Sequence, residues 1–437
     1  RDPEMSRGLG DVYKRQELFR FGKSESVNCR ESYCPLLLFN LLIIKSMSMI
    51  YRWILFIALF GISLSCSDHP KNSSSDMEPL DIVELRPADK WLKFPIDEDT
   101  DIGWYPTVIE KDEREYIIIK NSGIPQLLFY DVDKMECVRK ITFQMEGPNA
   151  IGKAHRYYVK GWSEFYWLPP SAQQCLFKVD DAGVVQGRYD CSKDDAGNFL
   201  PPIESIVFID SLVHIQLYHY NHNQQEEKTS VAAVLDTVHK VVKQFSFYHP
   251  SKPTMDDLYK GRLRAGDEYV SCLFDGANFV YVFGQNDSIY VATADHKNVK
   301  GYNAKSKYLK PAKYIPKPYY AALNDYLREC NQQQFYHYIY YDKYREIYYR
   351  LAYPESEVDP KENQRDIWSF GRRTCSIVIL DKNFRIIGET LLPDYRYQNR
   401  SIVVLKDGLY ICDSHYKRED YDENVWSFQR FDLVKKK

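Results

Sequence analysis

Several stretches of this 437-residue sequence carry side chains that could bind or react, and each has a plainer role to set beside it. The tract FYHYIYYDKYREIYYRLAYP (335–354) concentrates tyrosine. Strand alternation puts Tyr336, Tyr338 and Tyr340 on one face and His337, Ile339 and Tyr341 on the other, with DKYRE as the hairpin turn. Those three tyrosines, with Arg345 and Arg350 on the rims, could form a stacking platform for sugar rings; the plainer role is a sheet face packed by tyrosine. Residues 147–153, GPNAIGK, approach the phosphate-cradling pattern G-x-x-x-x-G-K-[ST]. Ala154 replaces the hydroxyl that would hold Mg²⁺, and HRYYVKG continues as a strand, so the segment reads as a tight turn. His214 and His219 face opposite ways on a strand, and no HExxH accompanies them or His222, so no metal is expected. The acidic run DEDTD (97–101) lacks the Gly and the terminal Glu of a calcium loop. Seven lysines between 296 and 317 (Lys297, Lys300, Lys305, Lys307, Lys310, Lys313 and Lys317) read either as a patch for an anionic glycan or lipid headgroup or as a solvated loop. No G-x-S-x-G or G-x-G-x-x-G occurs, and no cofactor is expected.

The elements that must position these residues repeat along the chain. A strand, a short Asp/Asn/Gly turn and a second strand recur at 127–143, 175–189, 231–247, 288–302 and 376–392, with a shorter copy at 428–436. Taking Asp131, Asp180, Asp236, Asp295, Asp381 and Asp432 as anchors, the steps are 49, 56, 59, 86 and 51 residues. Each step holds further apolar strands, among them EYIIIK (115–120), SEFYWL (163–168), LVHIQLY (212–218) and NFVYVF (278–283). Strand-rich units of this length predict an all-β, six-bladed β-propeller, because one blade cannot bury both of its faces while a ring of blades can. The strand DIVELR (81–86) is expected to pair with the last blade and close the ring. The long step predicts an insertion near 305–334, with a helix in PYYAALNDYLRECNQQQ (318–334). DIWSFGR (366–372) and NVWSFQR (424–430) align without a gap, each Trp-Ser-Phe leading into a strand, which predicts two equivalent tryptophans that pack between sheets. Seven blades, an irregular ring, a pair of two-sheet sandwiches and an irregular β-solenoid are the alternatives.

The N-terminal region reads as address rather than fold. Met49 to Cys66, MIYRWILFIALFGISLSC, has one charge, an apolar run from Trp53 to Leu64, and small Ser65 before Cys66. It reads as a lipoprotein signal (49–65) with Cys66 as the lipidated residue, although Leu64 stands one place nearer the cysteine than the usual pattern has it. Residues 1–48 read as non-native translated sequence, 66–79 as a flexible polar tether, and 80–437 as the propeller. From Cys66 onward, 49 Lys and Arg stand against 55 Asp and Glu, a net charge of −6, which argues against nucleic acid. After Cys66 seven widely spaced cysteines remain, too few for a disulfide scaffold; most read as small buried apolar residues, with one oxidised pair left open.

The Cys66 signal, GPNAIG (147–152), YDKYREIYYRLAYP (341–354) and SIVILDKNFRIIGE (376–389) together resemble a family of uncharacterised single-domain Bacteroidetes lipoproteins related to six-bladed propeller proteins. The resemblance covers nearly all of 80–437 and departs at Ala150, where relatives often carry glycine. It implies an envelope location and a propeller fold, and no activity. The expected function is a lipid-anchored, monomeric cell-envelope module that binds a glycan, peptide or protein without catalysis. The alternative is a hydrolase or lyase acting on envelope glycans in the propeller funnel.

Overall fold

The computed structural model describes residues 79–152, 156–169, 174–217, 230–250, 264–267, 269–311, 313 and 323–436. All of them lie in one unit, Pro70–Lys437. Strands dominate and come in fours. After β1 (Val83–Pro95), an antiparallel sheet runs in order through β2 (Thr107–Lys111), β3 (Arg114–Asn121), β4 (Gln126–Asp131) and β5 (Glu136–Thr142). The second holds β6 (Arg156–Val159), β7 (Glu164–Leu168), β8 (Cys175–Asp180) and β9 (Val185–Asp190). The third holds β10 (Ile203–Ile209), β11 (Leu212–Leu217), β12 (Ala232–Asp236) and β13 (Val241–Gln244); the fourth holds β14 (Val270–Phe274), β15 (Asn278–Phe283), β16 (Ser288–Thr293) and β17 (Val299–Asn303). Helix α1 (Leu323–Gln332) then leads to β18 (Phe335–Asp342) and β19 (Ile347–Tyr353). Helix α2 (Gln364–Phe370) precedes β20 (Ser376–Leu380), β21 (Ile386–Leu391), β22 (Ile402–Leu405), β23 (Gly408–Cys412) and β24 (Val425–Lys435).

The last strands form one eight-stranded sheet in the order β18-β19-β20-β21-β1-β24-β23-β22. It is two groups of four joined at one parallel contact, Val83 to Gly388. A Cβ on Gly388 would stand 2.0 Å from the Val83 carbonyl oxygen, so only glycine admits that approach. Strand β1 pairs antiparallel along the whole of β24, from Val83 opposite Lys435 to Pro95 opposite Val425.

The repeated aspartates explain the repeated turns. Asp131, Asp180, Asp236 and Asp381 each accept two backbone N–H groups through Oδ1 from residues two to four further on, and Asp295 accepts one from Lys297. This local side-chain bond closes the turn between the third and fourth strands. Asp432 differs: it lies within β24, opposite Arg86 of β1, because the fourth strand of that group comes from the other end of the chain. Strand β4 is buried at every position and its centre, LLFY, is an unbroken apolar and aromatic run between Gln126 and Asp131, while outer strand β5 alternates.

Six hydrophobic clusters lie between sheets. One joins the first and second sheets through Phe129, Phe165 and Trp167, and the next joins the second and third through Tyr166, Leu176 and Ile215. Others join third to fourth, fourth to β18–β21, and β18–β21 to β22–β24. The sixth joins β22–β24 and β1 back to the first sheet, through Phe94, Trp426, Tyr130 and Ile117. The first strands of neighbouring sheets also touch: β6 with β10, β10 with β14, β14 with β18, β18 with β22, and β22 with β2.

One expectation needs correction. DIWSFGR and NVWSFQR are not equivalent: Gln364–Phe370 is a helix, capped by Asn363, that precedes β20, whereas the second triplet lies inside β24. Trp426 does pack between sheets, against Phe94 and Tyr130, but Trp368 does not share that place. The helix inside the insertion is α1. All seven cysteines from Cys137 to Cys412 are free thiols. Among the described residues no helix is long and apolar enough to cross a membrane.

Candidate functional site

The tyrosine tract does not keep the alternation its sequence predicts. In β18, Tyr336 stands opposite Ala352 and Ile339 opposite Arg350, so three steps on one strand match two on the other. This β-bulge at His337–Tyr338 turns the strand over. Tyr336 packs with Ile339 and Tyr348 towards the fourth sheet, while Tyr338 and Tyr340 pack on the opposite face with Phe335 and Tyr349. Tyr336, Tyr338 and Tyr340 therefore form no common platform.

Tyr336 and Arg350 are occupied inside the protein. Tyr336 is 2% exposed and donates to Asp287, and Arg350 is 0% exposed with its guanidinium 3.4 Å from the Tyr336 ring centre. Arg350 donates to the carbonyls of Asp287 and Ala304, both at 2.8 Å, and of Asn286 at 2.6 Å. It ties β19 to the loops of the fourth sheet. Arg345 lies at the far end of β18, in the turn to β19. It pairs with Asp342 at 2.6 Å and donates to the Lys406 carbonyl. Beside it, Lys343 and Tyr344 bond to Glu110 at the β2–β3 turn, and these bonds hold that carboxyl down at about 2. At this end the charges are matched.

Tyr338 marks the other end, where the first strands begin. Arg156, the first residue of β6, reaches across to the Tyr338 hydroxyl at 3.2 Å and pairs with Glu204 at the start of β10. The Arg156 guanidinium also lies 4.6 Å from the ring centre of Tyr105, just before β2. Tyr105 has φ 63°, a left-handed conformation that a bulky residue adopts only under constraint. Two bonds supply it: the Tyr105 N–H donates to the Arg400 carbonyl at 3.2 Å, and the Tyr157 hydroxyl donates to the Tyr105 carbonyl at 3.2 Å. The Tyr105 and Tyr338 rings meet at 4.7 Å, and His337 meets Tyr338 at 4.4 Å and Tyr269 at 5.1 Å. Tyr269, just before β14, stacks on Phe335. Gly266 makes room there, since a Cβ on it would lie 2.7 Å from the Phe335 side chain.

Arg400, just before β22, completes this group. It is 4% exposed, and its guanidinium lies 4.3 Å from the Trp368 ring centre and 5.1 Å from that of Trp104. Among the described residues no oxygen accepts a hydrogen bond from that guanidinium. Arg372, also buried, donates to the carbonyls of Gln333 and Pro354. Burial pushes His337 well below its ordinary value, and Arg400, Arg156 and Arg372 add to the shift, so the imidazole is neutral. The buried atoms His337 Nδ1, Arg156 Nε, Arg372 Nε and Ser401 Oγ have no partner. Unsatisfied buried polar atoms are rare in native proteins, and here several share one neighbourhood. Trp104, Tyr105, Tyr269, Tyr338 and Trp368 are half-buried, so solvent reaches the collar that covers Arg400.

The remaining motifs resolve plainly. GPNAIG is a turn with Gly147 and Gly152 at positive φ, and strand β6 follows it. DEDTD is a turn in which Asp97 pairs with Lys140. His214 stacks on Phe245 beside His296, whose Nε2 meets the Tyr281 hydroxyl at 2.6 Å. Lysines of the basic run disperse into separate pairs, Lys305 with Asp287, Lys307 with Asp81 and Lys313 with Glu355. Lys297 and Lys300 border an open hollow of about 520 Å³ on the outer strands of the fourth sheet. Cys66, the signal segment, His219, His222 and Lys317 lie outside the described residues.

Sequence reading missed Trp104, Tyr105, Arg156, Glu204, Tyr269, Trp368 and Arg400. A usable signal existed: apart from the two tryptophans, each sits within two residues of the start of a first strand. Aligning those starts across the repeat would have gathered Tyr105, Arg156, Glu204, Tyr269 and Arg400. Chemically, the group can bind through aromatic faces, hydroxyls and guanidinium edges. Among the described residues Glu204 is the carboxylate that contacts this group, and it is paired with Arg156.

Residues 89–391 match the model of DUF4221, a domain of unknown function. A solved member of that family from Bacteroides vulgatus ATCC 8482 superposes with a TM-score of 0.70 at 23% identity, over 82% of this chain and 100% of that one. A protein from Bacteroides fragilis NCTC 9343, described as exported, superposes with a TM-score of 0.50 at 11% identity, over 83% of this chain and 98% of that one. At these identities the two speak for the fold alone. No protein of curated function matches the chain.

Proposed function

This chain belongs to the DUF4221 family, and we propose that it is an extracytoplasmic binding module built on a six-bladed β-propeller, taking its ligand where the first strands begin. Six groups of four strands support the ring, with β1 as the outer strand of the last blade. An open row of six sheets would need five cores between them, whereas six cores are present and the sixth joins last to first. In a ring of this kind the first strands line the axis, and binding groups gather on its rims.

The observation that carries the binding reading is the collar itself. Residues from every blade converge on it: Tyr105, Arg156, Glu204, Tyr269, Tyr338 and Arg400. The strained Tyr105 and the unpartnered buried atoms lie in the same place, where structural needs alone would have selected relaxed and satisfied groups. Lipid attachment through Cys66 and an envelope location complete the reading. They rest on the signal-like sequence before Cys66 and on the exported relative of the same fold. The ligand class is a glycan or peptide, and catalysis on an envelope glycan is the second reading, favoured by Glu204 alone.

The test is a glycan-array and peptide screen of the purified protein beside a Tyr105→Ala, Trp368→Ala double variant. Binding that the double variant loses supports the collar. Binding that it keeps in full would place the ligand elsewhere. Separately, Cys66→Ala should release the protein from membranes, and unchanged retention would remove the anchor.

A further inference from the structure

Resting on the collar as the binding site, the geometry points to its ligand: Arg400 reads a carboxylate carried on a sugar ring, so the ligand is an acidic sugar such as a uronic acid at the end of a glycan. A guanidinium presents five N–H donors along its edges in a fork that matches a carboxylate. Arg400 is 4% exposed, and among the described residues none of those donors finds an oxygen. Arg156 and Arg372, its neighbours, do have oxygen acceptors. The Trp104 and Trp368 rings hold the guanidinium by its face and leave its edge donors for an oxygen that arrives with the ligand.

The sign of the partner follows from the charges among the described residues. There the guanidiniums of Arg156, Arg372 and Arg400 stand with the carboxylate of Glu204, the Lys120 and Asp101 pair beside Arg156 cancels, and the neutral His337 adds nothing. That balance favours an anionic ligand. The open fork of Arg400 suits one planar carboxylate, whose two oxygens match its paired donors. The walls specify the rest. Tyr105, Tyr269, Tyr338, Trp104 and Trp368 offer aromatic faces, with tyrosine hydroxyls at their edges, which suits the apolar face and hydroxyl rim of a sugar. A peptide C-terminus is captured by backbone N–H nests, and here a side chain holds the open donors. Arg156 spans from β6 to Tyr338 of β18, so the ligand enters as an end group and does not thread through.

The experiment titrates the purified protein with three probes: uronic-acid oligosaccharides, neutral oligosaccharides of equal length, and peptides with a free C-terminal carboxylate. Calorimetry and tryptophan fluorescence follow binding to the wild type, Arg400→Gln and Arg400→Lys, each first checked for a native melting transition. An acidic sugar should bind at least tenfold tighter than its neutral counterpart, lose at least tenfold with Arg400→Gln, and regain part with Arg400→Lys. Equal affinity for acidic and neutral sugars, or full retention by Arg400→Gln, overturns the role of Arg400 while leaving the collar as a binding site. Binding of peptides alone overturns the sugar. Silence from all three probes removes the collar reading together with this one.

Discussion

Two buried arginines divide the molecule into a region that is finished and a region that is not. Arg350 and Arg400 are alike in burial, at 0% and 4% exposed, and both lie against aromatic rings. Arg350 spends its terminal NH₂ donors on three main-chain carbonyls at the seam between the fourth sheet and β18–β21, and only its Nε lacks a partner. Burial lowers its guanidinium only to about 10, so it stays charged and bonded at neutral pH. Among the described residues Arg400 has no such acceptors, and the Trp104 and Trp368 rings flank it instead. A satisfied buried charge welds elements together; an unsatisfied one lowers stability until something binds it. Burial and residue type are therefore poor guides to function, and hydrogen-bond saturation is a better one.

That contrast can be broken most directly at Arg350. Arg350→Met removes three bonds and leaves three carbonyls unpaired, so unfolding free energy should fall by about 3–5 kcal/mol in urea titrations. A fall below about 1 kcal/mol would mean that the seam does not depend on it. Acid should act next. Burial, with His214 adding, lowers His296 to about 4 against about 6.5 when unfolded, so it is neutral in the fold. The unfolded chain takes up the extra proton, hence stability is full above pH ~6.5 and falls as pH drops towards 4, at about 1.4 kcal/mol per unit from this group. His296→Phe should flatten that part of the stability–pH curve; an unchanged slope would place the proton elsewhere.

Arg400→Met should give the reverse of Arg350→Met. Replacing an unpaired buried charge by an apolar chain should leave stability within about 1 kcal/mol of wild type or raise it, by the same titration. A loss matching that of Arg350→Met would make Arg400 structural and erase the contrast. The smallest effect is expected where the first strands end. Glu110→Gln breaks half-exposed pairs with Lys343 and Lys406, and should cost at most about 1 kcal/mol, less in high salt.

Much of the architecture was legible beforehand because its causes are local. An aspartate that bonds the next backbone N–H groups makes the same turn wherever it recurs, so the anchors from Asp131 to Asp381 located the hairpins correctly. Strands β3, β7, β11, β15, β18 and β23 follow from apolar runs, and α1 from its insertion. The site was not legible for the opposite reason. A bulge of one residue at His337–Tyr338 reversed the faces of the tyrosine tract, and Trp-Ser-Phe formed a helix at 368–370 and a strand at 426–428. Period-two reasoning fails at one inserted residue, and a triplet does not carry its own conformation.

By itself the sequence determined that this chain is all-β and repeats, since alternation, apolar runs and turn residues act over a few neighbours. Only the tertiary structure decided which arginine is satisfied and which is open. Residues as distant in sequence as Tyr105, Arg156, Glu204, Tyr338 and Arg400 meet because the four-stranded groups bury their faces against one another and bring their first strands together. Whether a donor finds an acceptor depends on that meeting, and nothing local to Arg350 or Arg400 distinguishes them.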